Sequence, residues 1–234
     1  MTSLNHASKG LLTMLALTGL FTFSSCSKDD DDSTVDPDAT VKIVNVLPDA
    51  GAVDVYNGSS KITASAVGYG ESTGYLNVKD GDATFDFKST ATGNTVLSAP
   101  VKFKGGSYSL FATGETDGNA TVGILAEDDL GAPAAGKAKI RFVHAGSDAP
   151  AVNFLVNDSL LFTGTGYKSA TEFKEMAAGT YTLKLNNASS GETAISRAGI
   201  VLEAGKIYTV VAQGLLTPTP VLEQPFALNV LGNN

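Results

Sequence analysis

The chain repeats itself, and that repeat limits its fold more than any other feature. Val41-Lys-Ile-Val-Asn-Val-Leu-Pro-Asp-Ala-Gly-Ala-Val-Asp54 aligns with Ile140-Arg-Phe-Val-His-Ala-Gly-Ser-Asp-Ala-Pro-Ala-Val-Asn153, placing Asp49 and Asp148 99 positions apart. The register persists at an offset of 98 through Gly68-Tyr69 and Gly166-Tyr167. It continues at 100 through Gly105, Tyr108 and Gly114 against Gly205, Tyr208 and Gly214. Drifts of one residue are what loop insertions leave behind. With 234 residues the length also favours two domains. The repeat predicts them over 39–127 and 137–234, joined by a Gly, Pro and Ala-rich linker over 128–136.

Within each copy the apolar residues alternate. Ala83, Phe85 and Phe87 alternate with Thr84 and Asp86, and Tyr181, Leu183 and Leu185 alternate with Thr182 and Lys184. This is the period of a half-buried strand. Val41 and Ile43 open the first copy in the same way, with Val44 and Val46 fitting less cleanly. Turn signals recur at Asn57-Gly58, Asp80-Gly81, Gly105-Gly106, Asp117-Gly118 and Ala178-Gly179. Short strands at that spacing predict an all-β fold of two tandem immunoglobulin-like β-sandwiches. Gly179-Thr180-Tyr181, leading into a strand, resembles the tyrosine corner of such domains, with Tyr181 as the candidate.

The first 25 residues read as an address. A weakly basic start with His6 and Lys9 precedes an apolar run from Leu11 to Phe23, then Ser24, Ser25 and Cys26. The run is shorter than the ~20 residues a spanning helix needs, so it reads as a secretory signal. A Cys at that point resembles the lipobox of bacterial lipoproteins, with Phe23 in place of the usual Leu. The resemblance implies that residues 1–25 are removed and that acyl chains on Cys26 anchor the protein in a membrane. Residues 26–38, with the acidic run Asp29 to Asp32, have too few apolar groups to fold and read as a flexible tether. An acidic run after the Cys also resembles the surface-export signal of Bacteroidetes lipoproteins. The expected location is the outer membrane, exposed on the cell surface, with a periplasm-facing anchor as the alternative.

Charge and composition narrow the chemistry. A formal net charge of -8 repels phosphate backbones, so nucleic acid is not expected as a partner. Cys26 is the only cysteine and His144 the only histidine after the signal, which argues against a transition-metal centre. No phosphate loop or dinucleotide fingerprint occurs, and no cofactor is expected. Glu115-Thr-Asp-Gly-Asn119 and Glu127-Asp-Asp129 offer oxygen ligands for calcium, yet neither fits an EF-hand loop. The absence of Trp removes the usual sugar-stacking platform; Tyr56, Tyr69, Tyr75 and Tyr167 are the possible substitutes. Arg141, His144, Ser147 and Asp148 hold the residue types of a catalytic triad. Triad members normally arrive from separate segments, and the first copy has Lys42, Asn45, Pro48 and Asp49 at these positions. Asp49 and Asp148, with His144 and Ser147, are therefore read as turn-building residues.

The segment Lys139 to Asn153, with Gly166-Tyr167 and Ala204-Gly-Lys-Ile-Tyr-Thr-Val-Val-Ala-Gln-Gly214, resembles the DUF4397 family, a domain of unknown function in secreted bacterial proteins. That family usually opens with an Arg, a His and Ser-Pro-Asp-Ala-Pro. The second copy departs at Gly146-Ser147 and Asn153, and the first has Asn45 for the His and Gly51 for the Pro. The resemblance implies no activity. The expected function is a membrane-anchored, non-catalytic module that binds an extracellular polymer or protein. The alternatives are an extracytoplasmic hydrolase with carboxylates converging between the domains, or a structural envelope subunit.

Overall fold

A computed structural model of the protein describes residues 38–117, 120–219 and 223–234. The signal segment 1–25, Cys26 and the tether up to residue 37 lie outside the described residues. Alternation yields strands as expected. The first copy forms β1 (Ala39–Asn45), β2 (Val53–Asn57), β3 (Ser60–Lys61), β4 (Ser72–Val78), β5 (Gly81–Ser89), β6 (Thr95–Phe103), β7 (Ser107–Thr113) and β8 (Val122–Glu127). The second forms β9 (Lys137–His144), β10 (Val152–Val156), β11 (Ser159–Thr165), β12 (Lys174–Ala177), β13 (Gly179–Asn187), β14 (Thr193–Leu202), β15 (Ile207–Gln213) and β16 (Ala227–Gly232).

The duplication holds strand for strand. The first copy has sheets in the order β4-β1-β7-β8 and β3-β2-β5-β6; the second has β12-β9-β15-β16 and β11-β10-β13-β14. Each copy is an immunoglobulin-like sandwich with one parallel pair, β1 with β7 and β9 with β15; its other pairs are antiparallel. Val41, Ile43, Phe85, Phe87, Phe103 and Leu110 fill the first core, and Ile140, Phe142, Phe154, Leu183, Leu185 and Val210 the second. Thr84 and Asp86 point the other way, where Ser98 donates to Asp86 and Lys102 pairs with Asp82.

A third apolar cluster explains why Val44 and Val46 broke the alternation. Val44, Val46, Phe111, Ile124 and Ala126 of the first copy pack on Val143, Ala145 and Val211 of the second. Sheets β4-β1-β7-β8 and β12-β9-β15-β16 therefore meet by their outer faces. Their central strands are buried on both sides, and such strands read as continuous apolar runs rather than alternating ones. Both copies fall within one compact unit, Val35–Asn234. Asp128, directly after β8, has a fully buried side chain at this seam.

Candidate functional site

Arg141, His144, Ser147 and Asp148 do not assemble into a catalytic chain, because each is bonded elsewhere. The His144 ring is wholly buried, with Phe142, Tyr167 and Phe226 at centroid distances of 6.2, 6.4 and 6.5 Å. Its Nδ1 accepts from the Gly146 N–H at 3.3 Å, and Nε2 lies 3.0 Å from the Pro150 carbonyl. That pattern assigns the proton to Nε2. Asn45 holds the equivalent place with the same pair of functions: its Oδ1 accepts from Leu47 N–H at 3.2 Å and its Nδ2 donates to the Gly51 carbonyl at 2.8 Å. Asp148 accepts from the Leu216 and Thr217 N–H groups at 2.8 and 2.9 Å, and Asp49 accepts from Thr116 N–H at 2.7 Å. Each Asp thus clamps the loop that follows the penultimate strand of its copy. Ser147 donates across the seam to Glu115 at 2.9 Å. The Tyr181 hydroxyl donates to the Ala177 carbonyl at 2.7 Å, closing a loop back to residues just upstream.

A pH dependence follows from His144. Burial pulls its pKa below the ordinary value, with the Pro150 carbonyl working weakly the other way. As pH falls through about 6.5 the unfolded chain takes up the proton before the native chain does. Stability is therefore complete above that pH and declines as pH drops toward the depressed native pKa. His144→Asn should keep the clamp and remove this dependence, as Asn45 does in the first copy. His144→Ala should cost about 1–3 kcal/mol by leaving the Gly146 N–H unsatisfied. Urea unfolding from pH 7.5 to 5 checks both, and equal pH slopes for the wild type and His144→Asn would refute the assignment.

The seam holds a polar network that sequence reasoning missed. Arg141 on β9 forms an ion pair through Nη2 with Asp128 Oδ1, with side chains 1% and 0% exposed. Its Nε donates to Thr209 at 2.9 Å and its Nη1 to the Glu127 carbonyl at 2.9 Å. The other Asp128 oxygen accepts from Tyr75 at 2.5 Å, Ser109 at 2.7 Å and Asn233 at 3.4 Å. Thr209 and Asn233 complete the network at 2.8 Å. Burial lowers the pKa of Arg141 while Asp128 opposes the shift. Burial and the Asp128 carboxylate both push the Tyr75 phenol up.

Strand pairing sets the equivalences: Lys42 and Arg141 lie beside Ser109 and Thr209, and Glu127 and Gly232 lie beside Tyr108 and Tyr208. The contacts are reciprocal. Lys42 donates to the Gly232 carbonyl and Arg141 to the Glu127 carbonyl. Lys42 stacks on Tyr75 at 4.8 Å and Arg141 on Phe173 at 4.6 Å. Residue i meeting j while j's counterpart meets i's is the signature of a two-fold interface, here between two halves of one chain.

The two flanks of this pseudo-two-fold differ. On one, Asn229 donates to the Gly70 carbonyl at 2.7 Å and Asn233 to the Tyr75 hydroxyl at 3.0 Å, which closes the gap between the copies. On the other, a cleft of about 440 Å³ stays open. It is lined by Ile124 to Asp129 of the first copy and by Arg141, Lys168 and Ala170 to Phe173 of the second. This is where carboxylates of a hydrolase would converge. Asp129 there is held below the ordinary carboxylate range by Lys139 and the Gly131 N–H, the opposite of what a general acid requires. Of the candidate aromatic platforms, Tyr75 is committed to the seam and Tyr56 lies under Lys88 at 4.4 Å. The hydroxyls of Tyr69 and Tyr167 are buried at the seam, facing Gln213 and Thr113 respectively. Burial raises the Tyr69 phenol to about 12.

A family model described as a domain of unknown function, DUF4397, matches residues 39–155 and 143–225. No curated protein matches the chain. Among solved structures, the Bacillus anthracis TIE protein is 16% identical with a TM-score of 0.26, over 76% of this chain and 34% of that one. The chain therefore spans about a third of the length of that protein. A family CBM26 module of Eubacterium rectale Amy13K, in complex with maltoheptaose, is 12% identical with a TM-score of 0.24, over 80% and 100%. The fimbrial anchor protein Mfa2 from Porphyromonas gingivalis is 10% identical with a TM-score of 0.20, over 83% and 98%. Likeness at these scores carries no functional argument.

Proposed function

From a chain that belongs to the DUF4397 family and joins two of its domains around a cleft, we propose a membrane-tethered, non-catalytic binding protein of the cell envelope. In this reading Cys26 carries the acyl chains, residues 26–38 are the tether, and 39–127 and 137–234 are the paired domains with 128–136 between them. The protein resides at the outer membrane and faces outward, presenting the pair to an extracellular polymer or protein. The observation that carries the reading is the open cleft at the seam: both copies build it, and it is of the size that binding pockets occupy. The fate of the remaining chemistry supports it, since His144, Ser147 and Asp148 are each engaged in holding loops.

Palmitate labelling, protease shaving of intact cells, and glycan and protein arrays test the three parts. Label should enter the wild-type chain and not Cys26→Ala, external protease should remove the domains, and the arrays should yield a binder. An unlabelled, protease-resistant chain that is silent on every array would overturn the reading.

A further inference from the structure

The loops that follow β7 and β15 are built differently in the two copies, and the difference opens a pocket in one of them. The loop over 114–121 is short and polar, while that over 214–226 is longer and holds Pro218, Pro220 and Pro225. Alignment, strand register and the paired Asp clamps make Leu47, Glu115 and Thr121 of the first copy the counterparts of Gly146, Leu216 and Phe226. Thr121 donates to the Val96 carbonyl at 2.9 Å and closes its copy there. Phe226 cannot make that bond; its ring lies instead against Gly146, where a Cβ would come within 2.6 Å of it. A leucine at that place, as in the first copy, would exclude the ring. The two exchanges therefore belong together, and they accompany a pocket of about 210 Å³ walled by Ala149, Pro150, Val152, Ala194, Leu216 and Phe226.

The walls are braced. Leu216 is 42% exposed, yet its N–H is held by Asp148 at 2.8 Å. The Leu215 N–H donates to the Gln224 carbonyl at 3.0 Å and the Phe226 N–H to the Leu215 carbonyl at 2.7 Å. The Gln224 N–H donates to the Pro48 carbonyl at 3.1 Å, which ties the loop to the other copy. An apolar side chain kept in water on a fixed loop is a preformed contact, so a partner that covers it has little ordering to offset. Size and charge select the partner. At 210 Å³ the pocket falls below the range of about 300–1,000 Å³ that small-molecule sites take, which leaves room for one anchor side chain of the kind that dominates protein interfaces. The mouth is acidic: Glu192 lines it and is exposed, and Glu223 lies on the same loop, accepting from the Thr219 N–H. Arg197, further along β14, is drawn away to the Leu228 carbonyl at 2.9 Å. A cation beside the anchor would complement this rim.

We propose that this pocket docks a protein segment that inserts one aromatic or aliphatic side chain between Leu216, Phe226 and Pro150 and sets a lysine or arginine beside Glu192. The pocket shares no lining residue with the cleft at the seam, so it is a second surface beyond the site described above. Only its outward direction rests on the tether. β1 runs away from Ala39, the first strand residue after the tether, and the loops after β1, β7, β9 and β15 gather at the far pole, where Ser147 bonds Glu115 and Gln224 bonds Pro48.

The test pans a random-sequence peptide display library against the chain from Ser27 onward, which contains the whole compact unit, and titrates the enriched peptides as synthetic probes beside free indole. Enriched peptides should share an aromatic or aliphatic residue flanked by lysine or arginine, should bind more weakly as NaCl is raised, and should shift the amide resonances of Ala149, Val152, Leu216 and Phe226. Leu216→Asp should weaken them about tenfold or more and Glu192→Lys should reduce both affinity and its salt dependence. Both positions are exposed, so Tm should hold, and Asp82→Asn on a distant sheet face should change nothing. Peptides that are acidic or lack the anchor, binding that survives Leu216→Asp, indole binding without peptide binding, or no enrichment at all would each overturn this docking surface. None of these results touches the cleft; the binding-module reading falls only if the glycan and protein arrays are silent as well.

Discussion

Asp128→Ala should be the most damaging single replacement in the protein, lowering unfolding free energy by about 3–5 kcal/mol. The reason is the charge it strands. With Asp128 gone, Arg141 keeps its bonds to Thr209 and the Glu127 carbonyl but remains buried without a counter-ion. Tyr75 and Ser109 lose their acceptor at the same time. For a body of this size the shift in Tm would be about 6–20 °C. Replacing both partners with apolar residues, Asp128→Leu with Arg141→Met, should recover much of the loss, since a buried pair is costly mainly when it is broken. By contrast Asp82→Asn, which removes an exposed pair with Lys102, should stay within about 0.5 kcal/mol of wild type. Chemical denaturation of the wild type and these three variants decides it; a mild Asp128→Ala beside a normal control would mean that the seam is not sealed.

Phe111→Ala should come close in size, at about 3–5 kcal/mol, because a fully buried aromatic is removed from a packed cluster. Phe111 sits in β7 with its ring on the seam side, against Val44 and Val143, and Arg141 lies 5.9 Å from its centroid. Its loss therefore weakens packing and loosens the lid over the ion pair. The two changes should not add: combined with Asp128→Ala, the total should deviate from the sum by about 0.5–3 kcal/mol, as neighbours sharing a partner do. Strict additivity would place Phe111 and Asp128 in separate environments.

The all-β sandwiches were legible because Phe85 and Phe87 face the first core and Leu183 and Leu185 the second, while their neighbours point away from it, and period two records that directly. The seam was not, for two physical reasons. A strand buried on both faces loses the alternation, so Val44, Val46, Val143 and Val211 read as noise or as a generic apolar run. Its polar members come from distant places: Asp128 falls at the start of a Gly and Pro-rich stretch, Asn233 near the end of the chain, and Phe173 just before a short strand. One signal was available. Asp128 and Asn233 each follow the last strand of their copy directly, and Lys42 and Arg141 hold one aligned position. Aligned polar residues on otherwise apolar strands point to an interface when the copies are compared pairwise. The Asp49 and Asp148 clamps reach loops 67 and 68 or more positions away, distances that no local turn pattern encodes.

The two copies meet in a reciprocal, buried seam and behave as one body. Differential scanning calorimetry of the chain from Ser27 onward tests it most directly. A single transition whose calorimetric and van't Hoff enthalpies agree is the predicted result, with Asp128→Ala and Phe111→Ala lowering that one transition. Two resolved transitions in the wild type, of which either variant moves only one, would contradict it.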